Sequence, residues 1–154
     1  MSERTASDAT VQAECYYGIR LLVSSSTYSV SQISAALGME PDYFWNGGIS
    51  GRERAMWGRV AWTEGRRSFF DEVHEVLQWL KAREDFVTSL VSAGGELRVI
   101  VQLPGTIDAG CDLRPESMQL AARLGVRIGV AVYPDLHREK TGEFAFGPAA
   151  AISK

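Results

Sequence analysis

Cysteine and histidine are scarce in this chain of 154 residues, and neither residue type forms the pattern of a metal or disulfide site. Cys15 and Cys111 lack the spacing of a zinc site, and two cysteines are too few for a disulfide framework. His74 and His137 fit no metal-ligand or catalytic-triad pattern. The sequence therefore predicts no metal, no cofactor and a reducing, cytoplasmic environment.

Long apolar runs and a net positive charge are also missing. No apolar run approaches the roughly eighteen residues that a membrane-spanning helix needs, so we expect no membrane association. Residues 1 to 12 are polar without an apolar core, and we interpret them as a flexible N-terminal leader. The net charge of -3 gives the chain no overall attraction to nucleic acid, so any basic surface must be local.

Sequence signatures of catalysis and phosphate binding are absent as well. The glycines Gly47, Gly48 and Gly51 are not followed by the Lys-Ser/Thr pair of a phosphate-binding loop. Glu72 and Glu75 could form a carboxylate pair for acid-base chemistry, but their positions on an amphipathic helix favour a solvated charged surface. We therefore predict a protein without catalytic residues, not an enzyme.

What the chain does contain is the composition of one globular domain. Hydrophobic residues make up 45% and charged residues 23%, which excludes a largely disordered chain. A chain of this length can bury enough surface to fold without disulfides or metals. We predict a single domain over residues 13 to 135, followed by a C-terminal tail, residues 136 to 154, that could add a short edge strand.

The clearest local element is a helix that begins after Ser29 and ends before Gly38. Ser29 and Gln32 form the S-x-x-Q pattern of a capping box. Gly38 follows Leu37 at the position where helices end in a left-handed conformation, and Pro41 prevents the helix from resuming. A matching stop is predicted at Gly125, so the chain contains a weak internal repeat.

Alternating and helical spacings then predict the fold class. Period-two alternation predicts strands at residues 15–23, 55–62, 96–103 and 126–132. Helical spacing predicts two helices between residues 68 and 94, with a break near residues 82–85, and another helix that begins at Pro115. We expect an α+β fold, in which a mostly antiparallel sheet of four or five strands carries helices on one face, as in a ferredoxin-like sandwich.

An ordered series of apolar, glycine and tryptophan positions runs through about residues 13 to 135. It consists of a helix stop, a glycine-bearing loop with tryptophan, a helical pair and a second helix stop: Ile33, Leu37, Gly38, Met39, Pro41, Gly47, Gly48, Trp57 or Trp62, Thr63, Glu64, Gly65, Val73, Leu77, Leu80, Phe86, Leu90, Leu120, Leu124, Gly125, Val126 and residues 130 to 133. In this order the chain resembles the bacterial DUF4279 family. The resemblance implies a bacterial protein, and it implies no activity or catalytic residue.

One candidate interaction surface emerges when each predicted strand is divided into two faces by alternation. On the face opposite the predicted core, each strand contributes one arginine, and aromatic residues accompany them: Arg20, Trp57, Arg59, Arg98, Arg127 and Tyr133. One interpretation is a solvated face whose arginines pair with acids such as Glu14 and Glu96. The other is a binding surface, since arginine and aromatic residues are enriched at interface hot spots.

These observations leave two binding hypotheses about function and, as the weakest hypothesis, an enzyme with an unrecognised site. The first is a non-catalytic protein-interaction module of a bacterial cell, with an inhibitor or immunity-type protein as one form, whose partner is another protein. The alternative is a binder of nucleic acid or of an anionic ligand that uses the arginine-bearing sheet face. The net acidity and the missing RNA-binding signature count against the alternative.

Overall fold

The computed structural model describes residues 16–47, 53–64, 68–105, 110–133, 137–138 and 144–145. The predicted N-terminal leader and most of the predicted C-terminal tail lie outside these residues. The elements, in chain order, are β1 (Tyr16–Ser25), α1 (Val30–Leu37), β2 (Tyr43–Trp45), β3 (Ala55–Glu64), α2 (Phe69–Lys81), α3 (Glu84–Ser92), β4 (Glu96–Pro104), α4 (Pro115–Leu124), β5 (Arg127–Tyr133), β6 (His137–Arg138) and β7 (Phe144–Ala145).

Five strands form the main sheet, in the order β2-β3-β1-β4-β5. The pairings β2–β3, β3–β1 and β1–β4 are antiparallel, and β4–β5 is parallel. The predicted α+β class with a mostly antiparallel sheet is therefore confirmed. The ferredoxin-like arrangement is not confirmed, because β4 and β5 are direct neighbours with no strand between them. In the predicted tail, β6 and β7 pair with each other in a separate two-stranded sheet.

The predicted start and end of α1 are confirmed in detail. The hydroxyl of Ser29 accepts from the backbone N–H of Gln32 at 3.2 Å, and the side chain of Gln32 accepts from the N–H of Ser29 at 2.9 Å. Both donors would otherwise be unsatisfied at the first turn of the helix. Gly38 ends α1 with φ 71°, and Gly125 ends α4 in the same way with φ 69°.

The break between α2 and α3 falls at residues 82 and 83, within the predicted interval. Arg83 holds this corner, because its side chain donates to the carbonyls of Leu37 and Trp79 at 3.1 and 3.0 Å. The guanidinium also stacks on the Trp79 ring, 3.8 Å from its centroid. One long side chain thus joins the end of α1 to the turn between α2 and α3.

The core lies between the four helices and one face of the sheet. From β1 and β4 the buried side chains alternate along the strands, and each helix adds one apolar stripe: Tyr17, Ile19, Leu21, Val23, Ile33, Leu37, Trp57, Val73, Leu77, Leu80, Val87, Leu90, Leu97, Val99, Val101, Leu103, Leu120 and Leu124. None of the helices in the described part of the chain is both long and apolar enough to cross a membrane.

Candidate interaction surface

The sheet has one face against the helices and another that points away from them, which we call the second face. Because paired residues of neighbouring strands project to the same side, the strand registers define its members. Across the five strands, the second face includes Arg20, Leu22, Ser24, Tyr43, Trp45, Met56, Val60, Arg98, Ile100, Gln102, Arg127, Ala131 and Tyr133. Four predicted surface residues are among them: Arg20, Arg98, Arg127 and Tyr133.

The predicted position of Trp57 is wrong. Trp57 pairs with Val23 of β1, so it lies on the helix side of the sheet, and it is completely buried. Its indole N–H donates to the hydroxyl of Ser34 in α1 at 3.1 Å, and this bond satisfies a buried polar group. Alternation alone could not choose the buried face of β3, because both of its faces carry apolar side chains.

Arg59 was also predicted on the second face and is on the helix side, because it pairs with the buried Leu21 of β1. It is exposed there, and its guanidinium donates to the carbonyl of Glu40 at 2.7 Å. A pocket of about 290 Å³ lies here, with Arg59 and Ala61 of β3 on one side and Val76 and Trp79 of α2 on the other. Arg59 is therefore exposed although it lies on the helix side of the sheet, and its exposure does not place it on the second face.

The centre of the second face is occupied by Arg20 and three neutral side chains, which we call the Arg20 cluster: Arg20, Tyr43, Gln102 and Tyr133. Tyr43 comes from β2, Gln102 from β4 and Tyr133 from the end of β5, so the cluster extends across the sheet. The guanidinium donates from Nη2 to the Tyr133 hydroxyl at 2.5 Å and from Nη1 to the Tyr43 hydroxyl at 3.4 Å.

Gln102 is the buried member of the cluster and lies beneath the guanidinium of Arg20. Its side chain is fully buried, and its amide oxygen faces Arg20, since a guanidinium only donates hydrogen bonds. In this orientation the oxygen accepts from Nη2 at 2.5 Å and from Nε at 2.8 Å. A buried polar group on a central strand is thus satisfied by the arginine on the neighbouring strand.

Within the described residues, the charge of Arg20 is held in place without being neutralised. Its acceptors are two phenol oxygens and one amide oxygen, and no carboxylate among the described residues contacts it. The second N–H of Nη1 also has no acceptor in the described part of the chain. Among the described residues, Arg20 therefore meets no opposite charge, and it has a donor there that an anion could use.

Tyr43 is positioned to remain a neutral donor beside this charge. Burial raises the pKa of Tyr43 above 10.0, although hydrogen bonding to Arg20 and the positive charge of Arg20 act in the opposite direction. The hydroxyl therefore stays protonated at neutral pH. A phenol that accepts from Arg20 retains its own O–H for another acceptor.

Arg98 and Arg127 lie toward one end of the second face and share a single carboxylate. The two oxygens of Glu96 lie 3.5 Å from Nη2 of Arg98 and 3.6 Å from Nη1 of Arg127. All three side chains are substantially exposed, so these contacts contribute little to stability. A hollow of about 200 Å³ adjoins them, between Leu22, Ser24 and Met56.

Of the side chains considered for catalysis, His74 contacts a serine of α4. His74 Nδ1 lies 2.8 Å from the Ser117 hydroxyl, but Ser117 is completely buried in α4, so no substrate can reach it. This pair joins α2 to α4. The described residues also contain no group of three or more histidine, cysteine or acidic side chains that could hold a metal ion.

Of the Arg20 cluster, Tyr43 was not predicted on this face, and Gln102 was predicted only as an outward residue of its strand. Tyr43 lies in a strand of only three residues, which is too short for alternation to be recognised in the sequence. Gln102 has the alternation of an outward residue, and only the three-dimensional structure shows it beneath Arg20. The aromatic run from Tyr43 to Trp45 was the available signal for the first of them.

Comparison with known proteins adds no relative to this description. A scan against protein-family models gave no match, and neither the curated proteins nor the solved structures contained one.

Proposed function

We propose that the chain is a non-catalytic module that binds another protein through the second face of its sheet, with an acidic side chain of the partner received at Arg20. The observation that carries this proposal is that no negative charge among the described residues neutralises Arg20. The guanidinium is fixed by Gln102, Tyr43 and Tyr133, yet none of these side chains carries a negative charge.

Physical chemistry favours an anion at this position. A half-buried charge that has lost part of its hydration is costly unless it is paired. A carboxylate would supply the missing charge, and it would accept from Nη1 and from the hydroxyl of Tyr43. Because the buried Gln102 already orients the guanidinium, little side-chain entropy would be lost when the anion binds.

The surroundings of the cluster match the organisation of a protein interface. Half-buried apolar side chains flank it on the second face, among them Leu22 of β1, Ile100 of β4 and Val60 of β3. The exposed charges of Arg98, Arg127 and Glu96 lie toward one end, as in a polar rim. A partner with an acidic residue at its centre and apolar residues around it would complement this pattern.

An inhibitor or immunity-type protein of the bacterial cytoplasm is the form of this function that we favour. It rests on the resemblance to DUF4279, which stays a prediction, and on the half-buried free thiol of Cys111, which suits a reducing compartment. Such a protein would act by covering a partner's surface, for which a preformed sheet face needs no chemistry of its own.

Binding of nucleic acid through the same face is the second candidate. Arg20 lies on this face together with Tyr43 and Trp45, and aromatic rings beside arginine can stack on bases. The single positive centre at the cluster favours one carboxylate over a chain of phosphates. The two candidates differ in how binding depends on salt, which makes them separable.

The test uses nuclear magnetic resonance titrations of the whole chain with two probes, an acetylated hexaglutamate peptide and a short oligothymidylate. Hexaglutamate should shift amides of β1, β4 and β5, and Arg20→Gln should weaken its binding by about tenfold or more, since a charge-assisted hydrogen bond contributes about 1.5–3 kcal/mol. Arg123→Gln is the matched control, because Arg123 pairs with Glu84 on the helix side.

The same variants then serve as affinity baits in lysate of the source cell. A stoichiometric protein retained by the wild type and by Arg123→Gln, but lost from Arg20→Gln, would support the proposal. Unchanged amides on the second face, together with identical proteins on all three baits, would overturn it. Oligothymidylate binding, with a salt slope reduced by about 0.7 in Arg20→Gln, would replace it with the nucleic-acid function.

A further inference from the structure

The two edge strands of the main sheet, β2 and β5, differ in how well they are protected against pairing with a further strand. At one edge, β2 has only three residues, and beyond it the carboxylate of Asp42 accepts from the backbone N–H of Val60 at 2.7 Å. A short strand and an acidic side chain on a free N–H both prevent another strand from adding there. This edge is protected against association.

In the described part of the chain, neither of these protections is found at the opposite edge. β5 has seven residues, and in the described part of the chain it pairs with β4 on one side only. On its helix side it presents two β-branched side chains to solvent, Val130 with 53% and Val132 with 58% of its surface exposed. A long edge strand with exposed apolar residues is a template for pairing with another strand.

The direction of the backbone groups identifies which residues would pair. The carbonyl of Tyr133 accepts from the N–H of Gly105, which follows β4, so the backbone groups of Tyr133 point inward. Because these groups alternate along a strand, those of Ile128, Val130 and Val132 point outward from the sheet. The three residues with outward backbone groups also have the apolar side chains of this strand's helix side.

We propose that β5 is the edge through which two copies of this chain associate, as antiparallel strands related by a twofold axis at Val130. In this register Val130 lies opposite Val130 of the partner subunit, and Ile128 lies opposite Val132 of the partner subunit. All the outward backbone groups are then paired, which gives about six hydrogen bonds.

The side chains of β5 match a second copy in the same register. On the helix side, Ile128, Val130 and Val132 form a continuous apolar row with their counterparts. On the second face, Arg127 lies opposite the ring of the partner's Tyr133, and Gly129 lies opposite the partner's Ala131 without crowding. The strand is thus complementary to itself on both faces, as an isologous interface requires.

The first test is disulfide cross-linking at defined positions, in a chain whose own cysteines are replaced by Cys15→Ser and Cys111→Ser. Val130→Cys should give a covalent dimer on mild oxidation, because the two Cα atoms would lie roughly 5.5 Å apart. Val132→Cys is the matched control. Its two copies would be separated by four positions along the strands, roughly 14 Å, and should not cross-link.

Sedimentation equilibrium supplies the second test. The wild-type chain should sediment as a dimer with a concentration-dependent dissociation, and Val130→Lys should be a monomer, because two ammonium groups would meet at the twofold axis. Val130→Thr keeps a β-branched residue and should remain dimeric. Circular dichroism checks that each variant is folded, and the exposure of Val130 makes this the expected result.

Two outcomes would overturn the proposal. A wild-type chain that is monomeric up to millimolar concentration would show that another part of the same chain, or nothing, covers β5. A dimer in which Val132→Cys cross-links as readily as Val130→Cys would place the contact in a different register or on a different surface.

Discussion

Gly38 and Gly125 end their helices with nearly the same backbone geometry, but a methyl group would meet different surroundings at the two sites. At Gly38 an added Cβ would have no atom within 4 Å, whereas at Gly125 it would lie 3.0 Å from Cγ1 of Val91. We expect Gly38→Ala to lower the free energy of unfolding by about 1 kcal/mol, the cost of a left-handed alanine. Gly125→Ala should cost more, because steric overlap is added to the same backbone strain.

Urea unfolding of the two variants measures this difference. Val91→Ala removes the overlapping methyl groups, so in that background Gly125→Ala should cost only about as much as Gly38→Ala. Equal costs in the wild-type background would mean that Val91 moves aside without penalty.

The phenol of Tyr43 provides a test of the Arg20 cluster that needs no ligand. Because burial raises its pKa in the folded state, the folded chain holds this proton more tightly than the unfolded chain does. The stabilisation is complete below the unfolded pKa of about 10 and is lost as the pH rises through the higher folded value. Stability should therefore decrease with pH above 10, and by less in Tyr43→Phe.

Chemical denaturation of both proteins between pH 9 and pH 11 checks this expectation. The comparison subtracts the contribution of every other titrating group, since only Tyr43 differs. Parallel curves for the wild type and Tyr43→Phe would mean that the phenol is hydrated in the folded state.

At the scale of single elements, the contact between α1 and β3 depends on Trp57. Its ring fills the space under α1, and its N–H bonds to the buried Ser34. We expect Trp57→Ala to lower the unfolding free energy by about 3–5 kcal/mol, the usual cost of removing a large buried aromatic side chain. Thermal or urea unfolding measures the loss.

Phe44 supplies the control for this prediction. It pairs with Trp57 from the neighbouring strand and lies on the same face of the sheet, but it is 48% exposed. Phe44→Ala should therefore cost about 1 kcal/mol or less. Similar costs for the two variants would contradict the central role of Trp57 in this layer.

Both ends of α1 and the C-terminal end of α4 were predictable because their signals are local. The capping residues Ser29 and Gln32 and the helix stops at Gly38 and Gly125 act within a few residues of sequence, and the structure confirms each of them. The face of β3 was not predictable, since Met56 and Val60 on one side are as apolar as Ala55 and Trp57 on the other. Only the pairing with β1 decides between them.

The Arg20 cluster also could be predicted only in part, because its contacts depend on which strands are neighbours. Arg20 and Tyr133 were predicted on one face by alternation, which needs no partner strand. Their contact with Tyr43 depends on strand order, because β2 and β5 lie at opposite edges of the sheet with Arg20 between them. Strand order arises from long-range packing that a single sequence does not display.

At the scale of the molecule, overall charge and local charge have opposite signs. The chain carries a net charge of -3, while the described side chains of the second face include three arginines against Glu96. An acidic partner would be attracted to this face and repelled by much of the remaining surface, most strongly at low ionic strength. In the proposed dimer, two Arg20 residues would lie roughly 24 Å apart on one continuous face.

The position of β1 also determines how the sheet can assemble. β1 is central in the sheet and precedes both of its partner strands in the chain. Val23, for example, pairs with Trp57 of β3 on one side and with Leu97 of β4 on the other. The backbone hydrogen bonds of β1 are therefore complete only after both later strands have formed. Neither pairing is local, and closing such long loops slows folding. During synthesis β1 would emerge as an apolar strand whose two edges stay unpaired until β3 and β4 follow, and such a segment is prone to aggregate.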